Sequence, residues 1–460
     1  MKTYDAIVIG SGQAGTPLSK KLAMAGLKTA LIEKRWVGGT CVNDGCSPTK
    51  AMIASAKAAW VASNSKKLGV TADDVKIDIK AVFKHKNGIV KMMRENVEDG
   101  ITETKNLDLI YGTAVFTGKK EITVTLKDGS TETLKADKIF INTGALPVIP
   151  EIKGVEEIGY LTSTTILELA EIPEHLLVIG SGYIGLEFGQ MYSRFGSKVS
   201  IVTRAKQLLV KEDEDISEEM TSILEKEKIK IFVESEVTSF NKTSGGISAN
   251  IDVNGESKRI QCSHVLIASG RVPHSEALAL NKTGVKTDEK GFIVVNSRLE
   301  TSVKGIYALG DVKPGPAFTH IAFDDYRVIR TNLLEKGRAS IKNRQVPYCM
   351  FTDPQLGRIG ITEHQAKEKG LDVLVAVLSN SSVARCIETG DQRGMMKAVV
   401  DAKTGKILGA AVLAEQGGEI ISVLQMAMKG GITYQEIKEG IFAHPTYSES
   451  LNNLFMTLDK

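Results

Sequence analysis

Tyr4-Asp5-Ala6-Ile7-Val8-Ile9-Gly10-Ser11-Gly12-Gln13-Ala14-Gly15 opens the chain with an apolar run that ends in three spaced glycines. Residues 6–9 carry no polar side chain, as a strand buried on both faces requires. Residues 16–25 then read as a helix. Strand, glycine turn and helix in this order bring a pyrophosphate onto backbone N–H groups at a helix N-terminus. Residues 27–32 read as the second strand, and Glu33 at its end stands where an adenosine ribose would donate hydrogen bonds. A glycine-rich turn without a ligand would leave Glu33 unexplained.

The same unit recurs. Leu176-Leu177-Val178-Ile179-Gly180-Ser181-Gly182-Tyr183-Ile184-Gly185 repeats the motif at a spacing of 170, and Gly196 answers Gly26 at that spacing. Two dinucleotide units imply two dinucleotides. The counterpart of Glu33 is Thr203, followed by Arg204 and Lys206. Cations there suit a ribose 2′-phosphate better than a free 2′-hydroxyl, which favours NADPH over NADH. The alternative is a pair of solvated surface charges, with a nearby Glu serving NADH. Residues 139–144 and 265–270 are apolar strands ending at Gly144 and Gly270, and each closes one sheet. The second unit is therefore inserted in the first, which resumes at Gly305-Ile306-Tyr307-Ala308-Leu309-Gly310-Asp311, where a strand ends on an acid suited to polyol hydroxyls.

Between the first unit's helix and its insertion lies Gly38-Gly39-Thr40-Cys41-Val42-Asn43-Asp44-Gly45-Cys46-Ser47-Pro48-Thr49-Lys50. Ser47 reads as an N-cap and Pro48 fits the first turn of a helix running to about residue 68. Two cysteines five positions apart at a helix start form a redox site rather than a staple. The positive end of the helix favours a thiolate at Cys46. Asp44, between the cysteines, is expected to raise the thiol pKa values. Cys262, Cys349 and Cys386 read as small packed side chains.

The composition fits this picture. At 460 residues about three domains are expected. A net charge of +3 points neither to nucleic acid nor to an anionic membrane surface, and no stretch approaches the roughly 20 apolar residues of a membrane span. Residues 6–9 are too short for a signal-peptide core, and five cysteines suit a reducing compartment, so a cytoplasmic protein is expected. No resident metal set is read. Residues 79–103 read as a long helix whose Lys80, Lys84, Lys86 and Lys91 form a solvated face. Strands follow at 107–114, 121–126 and 131–134. From about Pro347 an α+β domain is expected, with strands at 373–378, 395–401 and 407–414 and helices at 419–429 and 433–439. It ends in Phe442-Ala443-His444-Pro445-Thr446-Tyr447-Ser448-Glu449. By itself His444 with Glu449 reads first as a satisfied core pair.

Taken together, the two fingerprints, Gly-Gly-Thr-Cys-x-Asn-x-Gly-Cys-x-Pro-x-Lys, Gly310-Asp311 and His-Pro-Thr-x-x-Glu resemble, over essentially the whole chain, the class I pyridine nucleotide-disulfide oxidoreductases. This is the flavoprotein family of dihydrolipoamide dehydrogenase, glutathione reductase and mercuric reductase. The resemblance implies an α/β fold with two Rossmann-like domains: FAD-binding over 1–150 and 271–340, and NAD(P)H-binding over 151–270. A C-terminal α+β dimerisation domain would span 345–460. It places FAD at Gly10, Gly12, Gly15, Glu33, Gly39, Thr40, Ala114, Thr143, Gly144, Gly310 and Asp311. NADPH falls at Gly180, Gly182, Tyr183, Gly185, Arg204, Lys206 and Gly270, with NADH the alternative. Cys46 would lie next to the flavin as the charge-transfer thiolate, and Cys41 would exchange with substrate. Lys50 would pair with Glu187 near the flavin, and Tyr183 would cover it until nicotinamide arrives. The family also implies a homodimer in which a cis bond at Pro445 aims His444, held by Glu449, into the neighbouring active site as acid–base.

The substrate follows less directly. The tail from Leu454 to Lys460 lacks the vicinal cysteine pair typical of mercuric reductases, the chain begins at the FAD strand without a metal-binding domain, and His444, usually missing there, is present. Residues 199–204 and 448–455 instead look like NADPH-using members and like the mercuric reductase-like relatives linked to oxidant resistance and copper(II) reduction. The expected activity is NAD(P)H-dependent reduction of a small disulfide. The alternatives are reduction of Hg(II) or Cu(II), and a redox-sensing flavoprotein without fast turnover.

Overall fold

The computed structural model describes residues 1–459; Lys460, the last residue of the expected C-terminal domain and tail, lies outside them. Among the described residues no helix is long and apolar enough to cross a membrane. The chain divides into two compact units, one of Met1–Ala51, Phe83–Val148 and Gly270–Arg344, the other of Met52–Val82, Ile149–Ser269 and residues 345 onward.

In the first unit a six-stranded sheet is organised around Thr131–Ile141. Its first half pairs antiparallel with Glu121–Leu126, while residues 134–141 run parallel to Lys2–Ile9 and residues 139–141 parallel to Ile306–Ala308. Sequence reading split this segment into two strands at its polar middle. Pairing on both sides carries the backbone straight through. Ala6 and Val8 pack with Leu18, Leu22 and Tyr326 on one face, and Ile7 and Ile9 with Ile122, Val124 and Ile141 on the other, which explains the unbroken apolar run.

The second unit contains the repeat as a parallel four-stranded sheet of His264–Ile267, His175–Ile179, Lys198–Val202 and Lys230–Phe232. The duplication extends to strand register. Ala6 pairs with Thr29 and Ile9 with Ile32, while Leu176 pairs with Val199 and Ile179 with Val202, the same pairs displaced by 170. A three-stranded antiparallel sheet, Ser235–Thr243, Gly246–Val253 and Glu256–Cys262, follows within this unit. The C-terminal segment forms a five-stranded sheet with Gln355–Gly360 and Ile407–Ala414 inside it, against which Gly417–Gly430 packs Ile420, Ile421 and Leu424.

Other expectations are corrected. The redox helix is Cys46–Ser63, not a helix from Ser47 to residue 68. The Thr49 N–H already donates to Gly45 O at 3.1 Å, so the helix starts before Ser47, which sits inside it and is not its cap. Ser65–Leu68 tightens into a 3-10 turn. Lys86 is only 2% exposed, its ammonium 4.8 Å from the Phe83 ring, and does not belong to a solvated face. Cys262 and Cys386 are buried as expected, whereas Cys349 is only partly so.

A dense ionic knot lies in the second unit. Arg194 and Arg393 flank the Trp60 ring at 4.7 and 4.2 Å, and both bond Glu227 and Asp353. Against the upward pull of burial, Arg194, Arg393 and Lys57 hold the Asp353 carboxyl down to about 2. Asp353, Asp391 and Glu415 bring ligand oxygens within 4.8 Å of one another, but these cations already neutralise them.

The repeated glycines make a test of the turn geometry. A Cβ on Gly185 would strike Gly180 O, whereas one on Gly182 meets nothing within 4 Å. Gly185→Ala should cost about 1–3 kcal/mol and Gly182→Ala under about 1 kcal/mol in urea unfolding of the holoenzyme. Equal costs would contradict this geometry.

Candidate active site

The redox loop is built on the first glycine turn. Gly38 and Gly39 take φ of +95° and +62°, and a Cβ on Gly39 would lie 2.6 Å from Gly12 Cα. Gly38 N–H donates to Ser11 O at 3.2 Å, so loop and turn meet backbone to backbone. Residues Gly39–Asn43 form a short helix not foreseen from sequence. The Asn43 amide donates to Val37 O and Gly39 O and accepts from Arg94 Nε at 2.8 Å, which fixes the loop from behind.

Cys41 is therefore on this short helix and Cys46 is the first residue of the long one. The Cys41 thiol hydrogen-bonds with Cys46. Thr319, which opens the helix Thr319–Leu334, reaches both, its Oγ1 lying 3.3 Å from Cys46 Sγ. Cys41 is pushed far up, first by the hydrogen bond with Cys46, then by burial and by negative charge on Cys46; Thr319 and the Lys50 ammonium pull it down. Charge on one sulfur therefore opposes ionisation of the other. Asp44 is not among these causes. Its carboxylate is paired with Arg35, which corrects the expectation that it would raise the thiols. Thr319 was missed because nothing near it in sequence marks it except Gly310-Asp311 a few residues earlier.

Around this loop the first unit offers a set of donors and acceptors suited to a dinucleotide. The buried Glu33 carboxylate accepts from Ser11 N–H at 3.0 Å, Ser11 Oγ at 2.8 Å and Arg35 N–H at 2.9 Å. The Asn142 side chain, also missed, donates to Gly10 O at 3.2 Å; a Cβ on Gly12 or Gly310 would come within 3.0 Å of it. Thr143 Oγ1 donates to His274 O, Ala114 is buried in its strand, and Gly144 has open space on its Cβ side. Gly310 N–H donates to the fully buried Asp325, which Lys313 and Arg344 neutralise. Burial pushes the neighbouring Asp311 carboxyl up while Arg271 and Lys313 draw it down. Thr40 is exposed beside Cys41. A buried acid at the strand end, a glycine turn closed too tightly for any side chain, and a second acid beside Arg271 fit the ribose, pyrophosphate and polyol of FAD.

The second unit repeats the first turn with one change. Ser11 Oγ donates to Glu33; Ser181 Oγ donates to Thr203 Oγ1 at 3.0 Å. Arg204 is 76% exposed, with Glu236 3.5 Å away, and Lys206 is exposed. Tyr183 opens the helix Tyr183–Phe195, and the buried Glu187 accepts from Phe351 N–H at 2.8 Å. Gly270, with φ +137°, belongs to the first unit, where its carbonyl accepts from Val148 N–H. Lys50 likewise belongs to the first unit and Glu187 to the second. His444 Nδ1 lies 3.0 and 2.9 Å from the two Glu449 oxygens, and the His444–Pro445 bond is cis. At 67% side-chain exposure His444 is no core residue.

Comparison with known proteins identifies the fold. Residues 4–325 match the pyridine nucleotide-disulphide oxidoreductase family model and residues 346–455 the dimerisation domain of that family. The chain belongs to the pyridine nucleotide-disulfide oxidoreductases, which bind FAD and a nicotinamide dinucleotide. It is 38% identical to the probable pyridine nucleotide-disulfide oxidoreductase RclA of Escherichia coli K12 over 99% of each chain. It is 36% identical to a mercuric reductase of Staphylococcus aureus, over 99% of this chain and 83% of that one. A solved structure described as a Cu(II) complex of the HOCl-induced flavoprotein disulfide reductase RclA superposes with a TM-score of 0.91 at 37% identity, covering 99% of both chains.

The influence of Cys46 on Cys41 can be tested directly. Since Cys46 is the largest cause of the raised Cys41 pKa, Cys46→Ala should lower it and speed Cys41 alkylation at pH 8 by about tenfold or more. Peptide mass spectrometry of the reduced protein after timed iodoacetamide treatment reports this; an unchanged or slower rate would contradict the assigned cause.

Proposed function

We propose that the protein is an NADPH-dependent reductase whose Cys41–Cys46 pair delivers electrons to a small disulfide. FAD, when bound, supplies the two-electron relay between nicotinamide and sulfur. The observation that carries the reading is the adjacent pair of free thiols, Cys41 and Cys46, gathered beside Thr319 at the start of Cys46–Ser63. Cys41 attacks the substrate disulfide, one substrate thiol leaves, and Cys46 then displaces the second from the mixed disulfide. Each departing thiolate needs a proton. His444 of the partner subunit, with Glu449 on its Nδ1, is the acid–base we assign to that task. Lys50 draws down the Cys41 pKa and so favours the attacking thiolate.

Support for NADPH comes from Thr203 standing in the position of Glu33, with Arg204 and Lys206 exposed beyond it. With the few cysteines and a catalytic dithiol, it suits a cytoplasmic protein. A second reading, reduction of a thiophilic metal ion as substrate, is supported by two sulfurs and a hydroxyl oxygen gathered at one point, a soft ligand set. The resemblance to a structure described as a Cu(II) complex supports it too.

His444→Ala separates the two. Disulfide-dependent NADPH oxidation should fall about 10²–10⁴-fold, while oxidation driven by Cu(II) or Hg(II) should persist. Survival of both activities would contradict the disulfide reading, and steady-state rates with NADPH and NADH in the same assay check the coenzyme.

A further inference from the structure

Apart from the groups discussed so far, the second unit buries a polar cluster around the Tyr183 hydroxyl. The Tyr183 ring lies 5.3 Å from that of Tyr348, tilted by 32°. Tyr348 Oη donates to Glu212 Oε1 at 2.5 Å, and Tyr183 Oη donates to the same oxygen at 3.5 Å. The two hydroxyls also lie within hydrogen-bond reach of each other, and because each has a single proton, the long Tyr183 bond to Glu212 competes with a bond between the hydroxyls. The Glu212 side chain is fully buried; its Oε2 has no hydrogen-bond partner, and Arg358 Nη1 stands 3.8 Å away. Arg358 is buried as well, and its Nη2 is unpartnered.

A buried carboxyl with an unfilled oxygen is costly, so its two donors carry unusual weight. They are unequal. The Tyr348 bond is short, whereas the Tyr183 bond is at the outer limit of hydrogen bonding and is readily given up. Tyr183 can therefore swing away without stripping Glu212 of its better donor. Glu212 is also set firmly with respect to the glycine turn. Its N–H donates to Leu209 O at 2.8 Å, and Leu209 N–H donates to Ser181 O at 3.1 Å, two residues before Tyr183. The loop bearing Glu212 is the one that carries Arg204 and Lys206.

We propose that Glu212 and Tyr348 are positioning residues that latch the Tyr183 phenol at the nicotinamide subsite and release it when the nicotinamide ring enters. The proposal rests on the reading above that Tyr183 belongs to that subsite. In Tyr348→Phe the Tyr183 hydroxyl becomes the sole hydroxyl donor to a buried carboxyl and is held harder. In Glu212→Gln the charge that holds both hydroxyls is gone.

The test uses holoenzyme, with equilibrium titration of NADP⁺ and of 2′,5′-ADP, which lacks nicotinamide; NAD⁺ and ADP-ribose serve as the parallel pair if NAD⁺ is the coenzyme bound. Tyr348→Phe should weaken NADP⁺ binding about 5–20-fold and raise the NADPH KM in step, with kcat and 2′,5′-ADP binding within about twofold. Glu212→Gln should shift NADP⁺ affinity the other way, about two- to fivefold tighter. In a Tyr183→Phe background, Tyr348→Phe should change nothing. Equal weakening of both ligands, the same sign for both variants, or an undiminished effect in that background would overturn the latch. NADP⁺ affinity indifferent to Tyr183→Ala would overturn the placement of Tyr183 itself, and the latch with it.

Discussion

The cysteine loop is seated on the first glycine turn by backbone alone, and the site depends on that approach. Gly39 can lie over Gly12 only because neither carries a side chain, and the Gly38 N–H to Ser11 O bond closes the gap. Gln13 Nε2 donates to Gly38 O and reinforces the contact from the turn's side. A Cβ at residue 39 would push the loop off, and with it Cys41 two residues on and Cys46 at the next helix start. The first glycine turn thus sets the position of the sulfurs. Asn142 supports the turn from below, and Thr319 meets both sulfurs from the side.

The repeat shows how one unit serves two purposes. Register, turn and helix are reproduced, since Gly10 N–H donates to Ile32 O and Gly180 N–H to Val202 O. What changes is the partner of the turn serine. In the first unit it is Glu33, fully engaged by Ser11 and Arg35; in the second it is the neutral Thr203, with Lys206 exposed beyond it and Arg204 exposed beside Glu236. An acid at that position would repel a phosphate; a threonine does not.

Much of this was legible in the sequence because glycine spacing and apolar runs are local signals. The turns at Gly10 and Gly180, the offset of 170, the cysteine pair and the His444–Glu449 pair were all read from motifs whose members lie near one another in the chain, although by itself that last pair read as a core pair and the fold exposes His444. What escaped depends on the fold bringing distant residues together. Thr319 reaches a sulfur 273 positions away, and Tyr348 reaches Glu212 across 136. Lys86 looked solvated by its charge, yet the fold buries it. Asp44 looked like a perturbing acid until Arg35, nine residues earlier, took it as partner. Ser47 looked like a cap because its side chain can serve as one, but the helix had already begun at Gly45 O.

The central proposal is that Cys46 is the sulfur presented to the cofactor and Cys41 the one presented to substrate. Anaerobic titration of the holoenzyme with NADPH tests it most directly. Flavin absorbance should fall, and a long-wavelength band from the Cys46 thiolate should appear, be lost in Cys46→Ala and persist in Cys41→Ala. A band that survives in Cys46→Ala, or that disappears only in Cys41→Ala, would contradict the assignment.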